Sequence, residues 1–260
     1  MNLSLKSAPL AAAIAVIAMG TGSANAALIP GTDPSSNSSV FISLAERNDV
    51  NQVVRNLIID TGARALDVFA GTPWSTTAAQ EANILAFVST SAATSRVVFN
   101  VGGALTDGSF ATDLQGFLTT GNAVGPSIDN YSQLNAGVIN TITKIGNANT
   151  GTFNANGVLA SNGPSDPGFH GNSWGDSYGG ALLPSNEVLL GAASQIIGWK
   201  TNADFEIIRS QLGSIASNLQ SGDISFNATV VPLPATVWLL ASGLGFLGVR
   251  RASRRQRQAD

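Results

Sequence analysis

The sequence predicts an α+β fold, in which an antiparallel β-sheet or sandwich carries a few packed helices and a single C-terminal transmembrane helix follows. Three observations favour this class. Strand-like segments open and close the central region, helical periodicity appears between them, and an apolar run stands almost at the end of the chain. No repeat of fixed period accompanies these segments.

The first predicted strands form a pair around a polar turn. Val40–Leu44 has the alternation of a strand, and Val53–Asp60 is rich in β-branched residues, with Gly62 as the turn residue that follows. The run SRVVFNVGG gives the strongest strand signal and is predicted to end at the Gly102–Gly103 pair.

Three helices are predicted after the opening strands. STTAAQEANILAFVSTSA begins with Ser75 or Thr76 as its cap, and ATDLQGFLTTG is predicted as a short helix closed by Gly121. Residues 127–145 form an amphipathic helix, while 146–185 have little periodicity and are predicted to be mostly loop. The apolar side of the amphipathic helix contains Ile128, Tyr131, Leu134, Val138, Ile139 and Ile142.

The last third of the central region is predicted to be β-rich again. Turn residues stand at Thr201–Asp204 and at 221–223. Residues 224–231 alternate as a strand that leads directly into the terminal apolar run.

The N-terminus has the three parts of a secretory signal peptide. Lys6 provides the positive region, Leu10–Met19 the apolar core, and Ala24 and Ala26 the small-residue cleavage site. The short core and the A-x-A site argue against an uncleaved anchor helix. Cleavage after Ala26 is therefore predicted, followed by a flexible segment over 27–39.

The apolar run near the C-terminus predicts a transmembrane helix. Ala235–Val249 is uncharged, and Val230–Pro234 with the stem of Arg250 extends it toward the span of a thin bilayer. Trp238 stands where interfacial aromatic residues lie, and the arginines that follow should stay cytoplasmic. The letters GLGFLG match a dinucleotide-binding fingerprint, but the chain ends before the acidic residue that this fingerprint needs about 20 positions on.

The tail resembles the PEP-CTERM sorting signal of Gram-negative bacteria, in its VPLPA form, with leucine in place of the usual glutamate. The resemblance implies processing by an exosortase, a membrane-embedded transpeptidase-like enzyme, in a bacterium that makes exopolysaccharide and biofilm. It covers about 25 residues and implies nothing about the rest of the chain. The residues that carry it are Val231, Pro232, Leu233, Pro234, Ala235, Trp238, Arg250, Arg251, Arg254 and Arg255.

Composition limits the partners of the region between the two signals. It keeps 7 of the 13 basic and 15 of the 16 acidic residues, a net charge of −8, which disfavours nucleic acid and anionic lipid surfaces as partners. The chain has no cysteine, and an exported domain without disulfides depends on its hydrophobic core.

One stretch, GFHGNSWGDSYGG, resembles a catalytic motif in its letters. Its G-N-S-W-G matches the nucleophile elbow at Ser173, and it holds the only histidine, His170. No strand pattern precedes the serine, no helix pattern follows it, and no histidine stands downstream. A glycine-rich aromatic surface loop is predicted instead, with His170, Trp174 and Tyr178 as its candidate ligand-contacting residues.

Metal and carboxylate chemistry have little support. One histidine and no cysteine exclude ordinary zinc or copper sites, and the loop acids Asp166 and Asp176 lack the spacing of a calcium motif. No cofactor, metal or catalytic residue is therefore predicted. A carboxylate pair stays open as an alternative, drawn from Glu46, Asp60, Asp67 and Asp113.

Aromatic residues leave a second alternative open. They either pack in the core or form a platform on which a sugar ring stacks. The candidates are Trp74, Phe169, Trp174, Tyr178 and Trp199.

These observations divide the chain into a signal peptide (1–26), a flexible segment (27–39), an exported ectodomain (40–230) and a sorting tail (231–257). We expect a non-enzymatic cell-surface or extracellular-matrix protein, transiently anchored in the inner membrane and associated with exopolysaccharide or biofilm. Its expected partners are the secretion translocon, signal peptidase and an exosortase. The alternative is an exported protein that binds or hydrolyses carbohydrate.

Overall fold

The computed structural model describes the greater part of the region between the two predicted signals. The described residues are 28–29, 38–105, 115–121, 128, 130–169, 186–202, 204 and 206–228. The predicted transmembrane helix over the terminal run lies outside them. Among the helices that these ranges contain, none combines the length and the apolar character of a membrane span.

Ten strands form one antiparallel sheet, which confirms the predicted β-rich domain with a few helices. In sheet order they run β3-β10-β9-β8-β5-β4-β1-β2-β6, and β7 pairs with β4. Strand β5 therefore lies in the middle of this order, with β8 on one side and β4 on the other. The strands are β1 Ser39–Arg47, β2 Val53–Arg64, β3 Trp74–Ser75, β4 Arg96–Leu105, β5 Gly116–Gly121, β6 Val158–Ser161, β7 Val188–Leu189, β8 Ala193–Thr201, β9 Ile207–Ser217 and β10 Ile224–Ala228.

Three helices pack on the sheet, namely α1 (Ala65–Phe69), α2 (Ala78–Ser89) and α3 (Tyr131–Ala148). The predicted amphipathic helix is confirmed as α3. It begins after Asn130, whose side chain accepts a hydrogen bond from the Gln133 N–H at 3.0 Å.

The cap of α2 differs from the prediction. Thr77 caps the helix in a capping box with Gln80, in place of Ser75 or Thr76. The two predicted residues are used elsewhere: Ser75 belongs to β3, and the Thr76 hydroxyl accepts the Ile224 N–H at 3.0 Å.

The predicted short helix ending at Gly121 is wrong over its described part. Residues 116–121 form strand β5, which pairs with β4 on one side and β8 on the other. Phe117 and Leu118 pack into cores on opposite faces of the sheet, so the segment lacks the apolar–polar alternation of a half-buried strand. Short apolar segments of this kind resemble helix and strand equally in sequence.

The glycines that were predicted to end strands β2 and β4 lie inside those strands. Gly62 lies inside β2 with a φ of +74°, beside the register shift near the start of β1, and does not end the strand. Strand β4 continues past Gly102–Gly103 to Leu105. A side chain at Gly103 would stand 3.2 Å from Val40 Cγ2, so the glycine allows close packing within the strand.

The loop prediction for 146–185 is corrected at two places in its described part. Residues 146–148 complete α3, and 158–161 form β6, which pairs with β2 at the end of the sheet. The predicted strands and turns of the last third are confirmed as β7–β10, with β10 described to Ala228.

Each face of the sheet has its own apolar core, because side chains alternate along a strand. The α1–α2 face includes Val40, Ile42 and Leu44 of β1, and the α3 face includes Phe41 of β1 and Ile58 of β2. To the α1–α2 face the helices contribute Ala65, Val68, Ile84 and Phe87. To the α3 face the helix contributes Leu134, Val138, Ile145 and Ala148, while Tyr131 and Ile139 of the predicted apolar side are exposed.

Leu28 lies in the segment predicted to be flexible, yet it is packed into the core of the α3 face. Its N–H donates to Asn149 Oδ1 at 2.9 Å, and Asn149 Nδ2 donates to the Leu28 carbonyl at 2.7 Å. The side chain is 1% exposed. The described fold therefore begins two residues after the predicted cleavage site.

Candidate functional site

The ligand-contacting loop residues and the signal residues predicted from sequence lie outside the described residues. This holds for His170, Trp174 and Tyr178, for the cleavage site at Ala24 and Ala26, and for the sorting tail 231–257. What the structure describes is the chain on both sides of residues 170–185, and a group of polar side chains in the middle of the sheet.

The chain that leads to residue 170 is attached to the α3 face. Phe169 packs against the small apolar cluster of Ala45, Val53 and Val98. The two preceding residues have hydrogen-bonded carbonyls: Asn56 Nδ2 donates to Gly168 at 3.3 Å and Ser161 Oγ donates to Pro167 at 2.8 Å. The entrance to the glycine-rich stretch is thus fixed to β2 and β6.

The chain that returns at residue 186 is attached to β5 and β1. The Thr120 hydroxyl donates to the Asn186 carbonyl at 2.7 Å. Glu187 is paired with Arg47, whose Nε donates to Glu187 Oε1 at 2.6 Å and whose Nη2 donates to the same oxygen. Arg47 also donates from Nη1 to the Asn51 carbonyl at 2.8 Å, so its guanidinium joins the return of the chain to the β1–β2 turn.

Between these two attachments lies a group that we name the buried polar cluster: Ser43, Asn100, Thr119, Asn186 and Gln195. Ser43 of β1 is paired with Asn100 of β4, Thr119 of β5 is two residues from Phe117, and Gln195 of β8 is two residues from Ile197. Alternation therefore places these four side chains on the α3 face of neighbouring strands. Asn186 precedes β7, beside the end of β5.

Four members of the cluster are buried, Gln195 is half-buried, and each of the five has at least one polar atom without a hydrogen-bond partner. Ser43, Asn100 and Thr119 are each 1% exposed and Asn186 is 2% exposed. A buried polar group without a hydrogen bond destabilises a protein by about 1–3 kcal/mol. Of the buried side-chain atoms without a hydrogen bond in the described part of the chain, six belong to this cluster: Ser43 Oγ, Asn100 Oδ1 and Nδ2, Thr119 Oγ1, Asn186 Nδ2 and Gln195 Oε1.

Sequence reasoning did not find this cluster. The one available signal was Asn100, an amide in the middle of the apolar run VVFNV. Its neighbours in space come from residues 43, 119, 186 and 195, and only the register of four strands brings them together.

Two of the acidic residues considered as a catalytic pair lie far apart. Asp60 pairs with Phe41 and Glu46 pairs with Arg55, so the two carboxylates are five residues apart along the strands, about 17 Å, and point to opposite faces. Asp67 lies in α1, and Asp113 lies outside the described residues. Asp60 and Glu46 are therefore not arranged as a carboxylate pair.

The surroundings of Glu46 and Asp60 shift the pKa values of the two carboxyl groups in opposite directions. Burial opposes ionisation of Glu46, but hydrogen bonds from Arg55, the Ala92 N–H and Ser95, together with the Arg55 charge, lower its pKa overall. Burial raises the pKa of Asp60, and the Gly62 N–H, the Arg64 charge and the Ser39 hydroxyl offset only part of that effect. Ionised Glu46 therefore stabilises the fold, and ionised Asp60 destabilises it.

Two substitutions should show opposite pH dependence. A lowered pKa gives stability that is complete above the ordinary value near 4.5 and is lost as pH falls, so Glu46→Gln should lower the free energy of unfolding by about 1.5–3 kcal/mol at pH 7 and by less at pH 4. A raised pKa gives stability that is present below the ordinary value near 3.8 and is lost as pH rises, so Asp60→Asn should gain relative to the parent as pH rises. Urea unfolding between pH 4 and 7 measures both differences. Parallel pH dependence of the two variants would contradict the assignment.

The residues of the metal and aromatic alternatives lie partly inside the described ranges. Asp166 Oδ2 accepts the Asn162 N–H at 2.7 Å within a turn, and Asp176 lies outside the described residues. The described ranges contain no group of three metal-ligating side chains. Trp74 and Trp199 are buried and stacked on Phe226 and Phe117, so neither belongs to an exposed sugar-binding platform.

No protein family model, curated protein or solved structure matches the chain. The candidate site therefore stands on its own geometry: an uncharged, largely buried polar cluster with six unpartnered atoms, between the two attachments of the glycine-rich stretch.

Proposed function

We propose that the protein is an exported component of the bacterial cell envelope, delivered by a cleaved signal peptide and sorted through its C-terminal tail by an exosortase. After processing it lies at the outer surface or in the extracellular matrix, in association with exopolysaccharide. No catalytic step is part of this proposal. Its partners are the secretion translocon, signal peptidase, the exosortase and, transiently, the inner membrane.

The position of the fold between the two signals supports this proposal. Leu28 is buried two residues after the predicted cleavage at Ala26, and β10 ends at Ala228, three residues before Val231. A domain with these bounds needs neither signal for its described core. Signal peptidase and the exosortase could then act on peptides that are not parts of its sheet.

The strand β10 gives the second structural argument. It pairs with β9 from Ile224↔Ser217 to Ala228↔Gly213, so the chain leaves the sheet from a fixed place. At most about 3.6 Å per residue separates Ala228 from the tail, which keeps Val231 within roughly 11 Å of the domain. Removal of the tail after export would release the domain without cutting a described strand.

Neutralising the terminal arginines tests the sorting step. With Arg250, Arg251, Arg254 and Arg255 replaced by glutamine, we expect unprocessed precursor to accumulate in the cell membranes, because the positive cluster holds the tail on the cytoplasmic side. Mass spectrometry and surface fractionation of the producing cells measure the outcome.

The matched control replaces the same four arginines by lysine, which keeps the charge and should restore orientation in the membrane. Unchanged mass and unchanged surface delivery of the glutamine variant would contradict the proposal. Loss of processing in both variants would show that the exosortase reads the guanidinium groups themselves, which still supports sorting through the tail.

A further inference from the structure

We propose that the buried polar cluster of Ser43, Asn100, Thr119, Asn186 and Gln195 is a binding site for a small, uncharged ligand rich in hydroxyl groups. The expected size is that of a polyol or a single sugar unit. This inference does not depend on the sorting signals and concerns what the exported domain holds.

The first step is that the cluster needs an occupant. Its polar atoms lie over β1, β4, β5 and β8, where backbone groups are already engaged in the sheet ladder. Ser43, Asn100 and Thr119 are each 1% exposed, so they do not reach bulk water. At about 1–3 kcal/mol for each unpartnered group, several together would remove much of the stability of an ordinary domain. An occupant that forms hydrogen bonds resolves this cost.

The second step is that the occupant is uncharged. All five side chains of the cluster are neutral amides or hydroxyls. Of the charges near the cluster, Arg47 and Glu187 are paired with each other, and Arg96 Nη2 stands 4.0 Å from the second oxygen of Glu187. Among the described residues, the side chains of the cluster offer an ionic ligand no opposite charge to balance it. An apolar ligand would leave every polar atom of the cluster unpartnered.

The third step is that hydroxyl groups match the available donors and acceptors. Asn186 Nδ2 needs an acceptor, Gln195 Oε1 needs a donor, and Asn100 needs one of each. Ser43 and Thr119 can serve in either role. A hydroxyl both donates and accepts, so a ligand with several hydroxyls on adjacent carbons satisfies this mixed set.

The fourth step is that β5 leaves one side-chain position open and that the surroundings provide an apolar wall. Gly121 is paired with Gln195 and has no side chain; a methyl group added there would meet Ile197 Cδ1 at 3.6 Å and Asn186 Oδ1 at 3.9 Å, both ordinary contacts. Ile58, paired with Ser43, and Ile197, paired with Thr119, are buried beside the cluster. Apolar side chains around a few polar groups are the usual lining of a small-molecule site.

The test uses the exported chain, purified from the producing cells in a mild detergent. Glycerol, glucose, galactose, mannose and rhamnose are the probes, with phosphate and acetate as charged comparisons, and calorimetric titration measures binding. We expect saturable binding of at least one uncharged probe and none of the two anions. Asn100→Leu, which keeps the side-chain volume, should weaken that binding by about tenfold or more.

Asn56→Leu is the matched control, because Asn56 lies on the same face and donates to the Gly168 carbonyl. Asn56→Leu should lower the unfolding midpoint in urea and keep ligand binding, whereas Asn100→Leu should keep or raise the midpoint of the ligand-free chain. If Asn100→Leu does not fold, then Asn100 has protein partners and the proposal is wrong. The double variant Ser43→Ala, Thr119→Val is a second test, and it should also weaken binding of the uncharged probe.

Three results would overturn the inference. The first is that no uncharged probe binds, with ordered water alone filling the cluster in a high-resolution crystal structure. The second is equal affinity of the parent and Asn100→Leu. The third is preferential binding of phosphate or acetate. None of these results bears on cell-surface delivery, so failure here is distinguishable from failure of the sorting proposal.

Discussion

Replacing Arg47 with methionine is expected to lower the free energy of unfolding by about 3–5 kcal/mol. Arg47 is 1% exposed at the end of the central strand β1, and its guanidinium donates to Glu187 and to the Asn51 carbonyl. Methionine fills much of the same volume but removes the charge and the two hydrogen bonds that Arg47 gives to the Glu187 carboxylate, whose side chain is 8% exposed. Arg96, another described cation near this carboxylate, stands 4.0 Å from it and is itself half exposed.

The loss of stability should come from breaking the buried charged pair and not from lost packing. Glu187→Leu alone should also destabilise the protein, because it removes the carboxylate to which Arg47 Nε and Nη2 donate. The double variant Arg47→Met, Glu187→Leu should recover a large part of the combined loss, since it removes both charges together. Urea unfolding followed by tryptophan fluorescence gives the three values needed for the cycle.

Arg96→Met is the matched control for the Arg47 variant. The Arg96 side chain is 53% exposed, and exposed ion pairs contribute about 0–1 kcal/mol. If Arg96→Met lowered the free energy of unfolding as much as Arg47→Met, the burial of Arg47 would not be the reason that its ion pair stabilises the fold. An additive double variant at 47 and 187 would show that the two side chains are not coupled.

The parts of the fold that sequence predicted are those with a local cause. Strands β1 and β2 follow from β-branched and apolar segments, and α3 from a long apolar period with Asn130 before it. The error at β5 has a non-local cause. Phe117 and Leu118 are both buried because two strands and a core on each face surround them. The six residues of that segment alone do not predict which strands and cores will surround it.

The candidate site was not predictable for the same reason. Ser43 and Asn100 become neighbours through the β1–β4 register, and Thr119 and Gln195 join them only because β5 and β8 are adjacent. The sequence drew attention to His170 and Trp174 because rare residue types stand out in a linear chain. A cluster of common amides and hydroxyls becomes visible only when burial and hydrogen bonding are counted atom by atom.

Trp199 provides the second large effect, since Trp199→Ala should lower the free energy of unfolding by about 3–5 kcal/mol. Its ring is 2% exposed in the core of the α3 face and stacks on Phe117 with centroids 5.0 Å apart and planes 20° apart. The guanidinium of Arg209 stands 6.0 Å from the ring centroid. Truncation therefore removes a stacked pair and leaves a cavity between β5 and β8.

Trp199→Phe separates packing from the polar edge of the ring. Trp199 Nε1 has no hydrogen-bond partner in the described part of the chain, so phenylalanine keeps the stacking and removes a buried unpartnered donor. We expect Trp199→Phe to cost clearly less than Trp199→Ala in the same urea measurement. If Trp199 belonged to a sugar-binding platform, its alanine variant would lose affinity for the producer's polysaccharide and keep its unfolding midpoint. Because the Trp199 ring packs against Phe117 within the sheet, we expect the alanine variant to have a much lower unfolding midpoint.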